Sequence, residues 1–394
     1  MRYVLAYRQV LAVPRVPATM LLMFFARLPM TAMGITLTLH VVTDLGRGYG
    51  AAGLVGTATT LGSALGAPLV GRMIDRYGLR PVVAVCGSAS AVYWVSAPHL
   101  PYPVLVAVTL PAGMLALPAT SIARQALTAL VPPTRRRSAY SLDSISLESS
   151  FMIGPAAGIA VATQFSAGVA LTGIGLFFAL TTVALCWYNP PVRHEDEVVT
   201  GSRPRVREWL GRRLSATLLF GSGALFCLIG TELATLAALR STGEIGWTGL
   251  VIVVMCVASA TGGIVYGALH RSLSQSGLML ALTVLVLPVG LFGHPWWLLA
   301  LALVPTNLLC APTLTATTEE VAALAPARVR AEAMGLLDSA TRLGMALGSP
   351  VVGFVIDHSS AAAGFAAAGL GGLVLAAAGY ALRLRVGWTR AVNA

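Results

Sequence analysis

Apolar residues fall in twelve long runs separated by short polar stretches, and a helix needs roughly 20 such residues to cross the hydrocarbon core of a bilayer. On that basis the pattern predicts membrane-spanning helices near 17–42, 51–72, 81–99, 103–131, 138–162 and 166–189, then near 214–240, 247–269, 276–294, 296–324, 331–356 and 360–385. A polar segment separates the sixth run from the seventh. The expected organisation is therefore an all-α membrane protein with a six-helix bundle over 1–190, a linker over 191–213 and a second bundle over 214–394.

Composition removes the soluble alternatives. Charged residues make up 10% of the chain and hydrophobic ones 56%, against about 25% charged in ordinary soluble domains. The net charge of +11 does not indicate a nucleic-acid partner, because its arginines lie in short clusters between apolar runs. With both termini in the cytoplasm, the inner loops hold nearly all of them, including Arg72, Arg76, Arg80, Arg135, Arg136, Arg137, Arg328 and Arg330, while the outer loops keep Arg47 and Arg240. That asymmetry is the positive-inside pattern and predicts a multi-pass protein of the plasma membrane, the inner membrane of a bacterium. Trp94, Trp187, Trp247, Trp296, Trp297 and Trp388 fall at predicted span ends, the depth that amphipathic rings prefer. The five cysteines are scattered, so neither a disulfide framework nor a metal site is expected.

The halves repeat. A shift of about 195 residues lays Arg135, Leu142, Asp143, Ser144, Pro155 and Gly158 over Arg330, Leu337, Asp338, Ser339, Pro350 and Gly353, and Gly66 and Gly71 over Gly262 and Gly267. Parallel repeats of this kind are typical of transporters that rock two bundles about a central site.

Between the second and third runs the chain reads Gly71-Arg72-Met73-Ile74-Asp75-Arg76-Tyr77-Gly78-Leu79-Arg80-Pro81. This resembles the signature loop of the major facilitator superfamily, G-x-x-x-D-R-x-G-R-R, with Leu79 at one expected basic position. The resemblance implies twelve helices in two pseudo-symmetric bundles. It also implies that Asp75 latches the first half to the start of the eleventh span, with Gly71, Arg76, Gly78 and Arg80 shaping the loop and Arg124 as a candidate partner. Gly154-Pro155-Ala156-Ala157-Gly158 is similar to the G-P-x-x-G motif of the drug:proton antiporter branch, which implies export. The family's arginine early in the fourth span is missing, where Leu110-Pro111-Ala112-Gly113 stands, and the second-half counterpart of the signature loop, Gly267-Ala268-Leu269-His270-Arg271, has no acid.

A charge at the centre of a spanning helix costs about 2.5–3.5 kcal/mol on insertion scales, so such residues face a partner or a cavity. By depth, Arg27, Glu148, Glu232 and Arg342 lie nearest the midplane, with Asp143 and Asp338 a turn closer to the cytoplasm. Asp338 and Arg342 are spaced to pair on one helix, and Arg27 and Glu148 are placed to pair across the first half. Glu148, Glu232, Asp143 and Asp338 are the candidates to carry a coupling proton. Arg27 and Arg342 are either charge partners or a clamp for cargo, and Met30, Met33, Phe226 and Met345 are expected to line an apolar cavity. Arg193 to Arg213 reads as an amphipathic surface helix or a solvated linker.

Neither a nucleophile motif nor a phosphate loop is present, so no enzyme, catalytic residue, metal or cofactor is expected. The reading is a monomeric, proton-coupled efflux antiporter for amphiphilic small molecules, of the kind that confers multidrug resistance, with protons and membrane lipids as further partners. The alternatives are an organic-anion transporter clamping a carboxylate or phosphate ester between Arg27 and Arg342, and a non-transporting sensor of the same fold.

Overall fold

The computed structural model describes residues 2–192, 205–269 and 273–392. Twelve helical stretches are long and apolar enough to cross a membrane. In the first half these are span 1 (Val16–Asp44), span 2 (Ala51–Tyr77), span 3 (Leu79–His99), span 4 (Tyr102–Leu130), span 5 (Pro133–Gln164) and span 6 (Ala167–Tyr188). In the second they are span 7 (Arg212–Ser241), span 8 (Thr248–Ala268), span 9 (Gln275–Phe292), span 10 (Trp296–Leu324), span 11 (Ala327–His358) and span 12 (Ala361–Arg383). Each agrees with an apolar run to within a few residues. An even number of crossings puts both ends of the chain on one face, called here the terminus face.

Trp187 and Trp297 project from span ends, 82% and 55% exposed, as expected of headgroup-level rings. Trp94 departs from that expectation. It is 4% exposed, packed edge-on against Tyr93 inside the first bundle.

Spans 4 and 10 are each broken. Helix Tyr102–Met114 stops before Ala119–Leu130, and helix Trp296–Leu308 gives way to Cys310–Leu324 at Leu309. The cause is a proline pair that recurs in both halves, Pro111 and Pro118 against Pro305 and Pro312. A helical carbonyl accepts from the N–H four positions on, and proline has none. Pro118 and Pro312 therefore deprive the carbonyls of Met114 and Leu308. Those carbonyls turn instead onto Gly66 of span 2 and Gly262 of span 8, where a side chain would collide with them.

The two bundles meet on the terminus face. Gly71 of span 2 lies on the backbone of Ala331 and Glu332 in span 11, and Gly335 returns the contact onto Ala67 and Pro68. Gly267 of span 8 packs against Ser141 of span 5, and the Ser138 hydroxyl donates to the Gly267 carbonyl at 2.5 Å. Ser121 of span 4 donates to the Met334 carbonyl at 3.1 Å, and Ser339 donates to the Ala64 carbonyl. Among the described residues, no hydrogen bond joins the halves beyond the level of Glu148 and Ser339, so the closure is one-sided.

Two segments outside the spans fasten this face. The N-terminal helix Arg2–Leu11 reaches the opposite half, where the Tyr7 hydroxyl donates to the Ile264 carbonyl at 2.6 Å. Burial pushes the Tyr7 phenol up to about 12, which keeps it a donor across ordinary pH. Between the bundles the four-residue helix Val206–Trp209 buries Trp209 in an apolar cluster with Val10, Leu127, Tyr140 and Val321, drawn from both halves. The remainder of the expected surface helix, residues 193–204, lies outside the described residues.

A methyl group at Gly71 has nowhere to go but the Ala331 backbone. The Gly71→Ala protein is expected to open the terminus face, lengthening the distance between spin labels at Arg76 and Leu273 in a cysteine-free background. Unchanged distances would show that this contact does not hold the halves together.

Candidate functional site

The buried charges sort into pairs and remainders. In span 1, Arg27 is 1% exposed and its guanidinium meets the Asp143 carboxylate of span 5 at 2.7 Å. Arg124 of span 4 stands 3.9 Å from the other oxygen of the same carboxylate. One acid of span 5 thus stands between two cations, contributed by spans 1 and 4 of the first bundle. The expected Arg27–Glu148 pair does not form, for a geometric reason. Positions 143 and 148 are separated by about 140° around a helix of 3.6 residues per turn, so only one of them can face span 1. Asp143 does.

In span 11 the Asp338 carboxylate accepts from Arg342 at 2.8 Å, the local pair that the spacing indicated. It is wetter than the first pair, with Arg342 at 22% and Asp338 at 12% side-chain exposure.

Glu148 faces the other bundle. Its carboxylate accepts from the Ser259 hydroxyl of span 8 at 3.1 Å and from the Cys310 thiol of span 10 at 3.8 Å. Glu232 of span 7, in the second bundle, is exposed and lies within electrostatic reach of Glu148. Among the described residues, neither glutamate has a cation within ion-pair distance. Toward the terminus face the interface between the bundles is shut by Ser144 and Thr315, 3.2 Å apart, and by Arg137, which meets Glu319 at 3.2 Å and the Leu269 carbonyl at 2.8 Å.

The signature loop sits on the closed face. Asp75 accepts from the backbone N–H groups of Ala331 and Glu332 at 3.3 and 2.9 Å, at the first turn of the long helix of span 11, where helix amides and dipole favour an anion. Arg124 is directed to Asp143. Gly78, at φ 85°, makes the turn between spans 2 and 3 that a bulkier residue resists. Arg80 donates to the Cys186 carbonyl at 2.7 Å, closing the end of span 6, and Arg76 covers the Tyr77 ring at 5.1 Å. In the antiporter-like stretch, Gly154 and Gly158 lie on Thr31 and Thr36 of span 1, with Pro155 between them inside the span 5 helix.

The expected cavity residues divide. Met345 is half-buried on span 11. Phe226 is not a cavity residue: at 6% exposure it fills the core of the second bundle, wedged against Gly348 and Gly371. Met30 and Met33 line a separate pocket within the first bundle, shared with Tyr93, Trp94 and Phe178. What the sequence reading missed is the broken span 4 beside that pocket. The signal was present in the repeated proline pair.

A family model described as Major Facilitator Superfamily matches residues 19–290. The chain belongs to that superfamily. Its fold agrees with solved members of transporter type. The human organic anion transporter MFSD10 (TETRAN) superposes with a TM-score of 0.71 at 18% identity, covering 92% of this chain and 97% of that one. The Escherichia coli fucose:proton symporter FucP gives 0.69 at 14% identity, covering 97% and 99%. The proton:xylose symporter XylE gives 0.68 at 13% identity, covering 95% and 94%. At these identities the likeness is one of fold. No curated protein matches the sequence. This facilitator-superfamily chain is thus a multi-pass membrane transporter by family.

Removing one partner of a buried ion pair costs about 3–5 kcal/mol, because the other is left charged and alone. Asp143→Ala is therefore expected to lower the thermal stability of the detergent-purified protein sharply, with Arg27→Met/Arg124→Met/Asp143→Leu, which removes both of its cations as well, recovering much of it. Asp338→Ala, at the wetter pair, should cost less. Equal losses for the two acids, or no rescue in the triple variant, would refute this ranking.

Proposed function

We propose that this transporter is a proton-coupled exporter of amphiphilic small molecules, and that it works by rocking its two bundles about the space between Glu148 and Glu232. The observation that carries the reading is the partnering of Glu148, whose hydrogen bonds come from a hydroxyl and a thiol of the opposite bundle and not from a cation. Rocking the halves apart on the terminus face withdraws Ser259 and Cys310 from the carboxylate. Protonation of Glu148 and the position of the bundles then bias each other, as any two linked equilibria must. Glu232, in the opposite bundle, is the second candidate carrier. Asp143 and Asp338 were candidates too, but each is held by arginine, and proton binding there would compete with an ion pair.

One-sided closure suits a carrier caught in one of two alternating states. With the termini cytoplasmic in the cell membrane, as the arginine asymmetry favours, the open side faces outward. The Asp75 bonds to Ala331 and Glu332 then act as the latch of that state. An entering proton supplies about 2.3 kcal/mol per 100 mV of membrane potential, plus any pH gradient.

The organic-anion alternative requires Arg27 and Arg342 for cargo. Arg27 is 1% exposed and engaged at 2.7 Å, and Arg342 is engaged at 2.8 Å, so a clamp would first have to break both pairs. This favours the glutamate mechanism.

In proteoliposomes bearing an imposed pH gradient, the wild-type protein is expected to move ethidium, and Glu148→Gln and Glu232→Gln are each expected to uncouple that movement from the gradient. If both single variants keep gradient-driven transport, neither acid carries the proton. Uptake of 2-naphthoate instead of ethidium, lost in Arg342→Gln, would establish the clamp.

A further inference from the structure

The two seams of the terminus face are closed by different chemistry. At the seam of spans 2 and 11, Asp75 accepts from the Ala331 and Glu332 amides, and Gly71 and Gly335 bring the backbones together. The repeat that lays Gly71 over Gly267 puts no acid at the matching seam of spans 5 and 8, because the sequence there runs on to His270 and Arg271. A carboxylate on helix amides is therefore not what closes the second seam. Donors on carbonyls close it instead. Span 8 ends at Ala268, and the carbonyls of a last helical turn have no partner within the helix. The Leu269 carbonyl accepts from Arg137 at 2.8 Å and the Gly267 carbonyl from Ser138 at 2.5 Å, both donors from the start of span 5. One turn deeper, the Ile264 carbonyl accepts from the Tyr7 hydroxyl at 2.6 Å, and the Gly263 carbonyl lies 3.3 Å from the same hydroxyl. Gly267 leaves the room for it, since a side chain there would collide with the Tyr7 hydroxyl and with Ser141.

Of these three donors, Tyr7 alone comes from outside the spans. Its helix, Arg2–Leu11, packs against both span 5 and span 8. Val10, a turn on from Tyr7, is fully buried in the apolar cluster that both halves share. The turn into span 1 is made at Arg15, in left-handed backbone at φ 70°, a region that residues other than glycine adopt uncommonly. Span 6 supports that turn. The Tyr188 hydroxyl donates to the Arg15 carbonyl at 2.9 Å, and the Arg15 guanidinium donates back to the Tyr188 carbonyl at 3.3 Å and stands 5.4 Å from the centre of its ring. The segment is thus fixed to the first bundle at Arg15 and hooked to the second bundle at Tyr7.

We propose that residues 2–15 form a strap that holds the terminus face shut, with Tyr7 as its hook, standing at the second seam in place of the acid latch that the first seam has. Arg137 and Ser138 release span 8 only when the bundles themselves move apart. A phenol carried on a separate helix is withdrawn without moving either bundle, so the strap is the fastener that can be undone first. Its hold is a bias and not a lock, because one hydrogen bond changes an equilibrium by only a modest factor. While Tyr7 is hooked, the state closed at the terminus face is favoured; once it is released, the bundles rock more freely. The inference shares with the transport reading above the rocking of the bundles. It uses neither the glutamates nor the cargo.

Spin labels at Thr134, at the start of span 5, and at Leu273, ahead of span 9, read the opening of this seam in the detergent-purified, cysteine-free protein. Tyr7→Phe, which deletes the hydroxyl and keeps the ring, is expected to raise the population with a lengthened distance about fivefold. Tyr7→Ala, which also removes the packed ring, should raise it about tenfold or more. Asp75→Asn should open the face too, and Tyr7→Phe/Asp75→Asn should show the product of the two single effects, because the two fasteners share no partner. A lower melting temperature with an unchanged distance distribution in both Tyr7 variants would make the helix a structural prop and overturn the inference. Opening that follows Asp75→Asn but ignores Tyr7 removes the strap and leaves the rocking. One closed distance in every variant, Asp75→Asn included, overturns both. Opening set by Tyr7 while gradient-driven ethidium movement fails supports the strap and removes the cargo reading alone.

Discussion

A charge inside a hydrocarbon slab must be answered by an opposite charge, a hydrogen bond or a proton, and this one requirement orders the middle of the molecule. Each way of meeting it has a different consequence. Arg27 and Arg124 are answered by Asp143, which ties spans 1, 4 and 5 into one rigid bundle. Arg342 is answered by Asp338 on its own helix. The acids left over, Glu148 and Glu232, belong one to each bundle, and Glu148 borrows its hydrogen bonds from the opposing half. Paired charges hold a bundle together. The proposed proton coupling is assigned to the glutamates because, among the described residues, no cation holds them and Glu148 takes its hydrogen bonds from the opposing half.

The second constraint is backbone satisfaction. Lipid offers nothing to a free carbonyl, yet Pro118 and Pro312 each free one in the middle of a span. Both are turned onto a glycine of a neighbouring helix, Gly66 or Gly262. The closed face uses the same device between bundles, where Gly71 and Gly335 let spans 2 and 11 touch backbone to backbone. Asp75 adds a charge-to-amide bond to the end of that contact. Small residues therefore decide where the halves meet, and one carboxylate helps to hold them there.

Much of this was legible in the sequence, because lipid reduces folding to few signals. Span positions followed from run length alone. The Asp338–Arg342 pair followed from a four-residue spacing on one helix. The signature loop predicted an anion at the start of span 11, where the Asp75 carboxylate accepts from the Ala331 and Glu332 amides. Arg27–Asp143 was not legible, since depth along the membrane says nothing of azimuth around a helix, and Glu148 was the nearer acid by depth. Phe226 failed for the same reason: its depth fits a cavity, but its side points into the second bundle. Trp94 lies near a span end, where the sequence alone indicates an interfacial ring, and only the packing of spans 3, 4 and 6 buries it. The broken spans are legible only when the proline pairs of the two halves are set side by side, since each proline alone looks like an ordinary kink.

The central claim is that a membrane-embedded glutamate at the bundle interface, and not an arginine-held aspartate, takes up and releases the proton. Infrared difference spectroscopy of the reconstituted protein through a pH jump measures carboxyl protonation directly. The account predicts a carboxyl band that disappears in Glu148→Gln or Glu232→Gln and persists in Asp338→Asn. A band that survives both glutamate variants and is lost with the aspartate would contradict it.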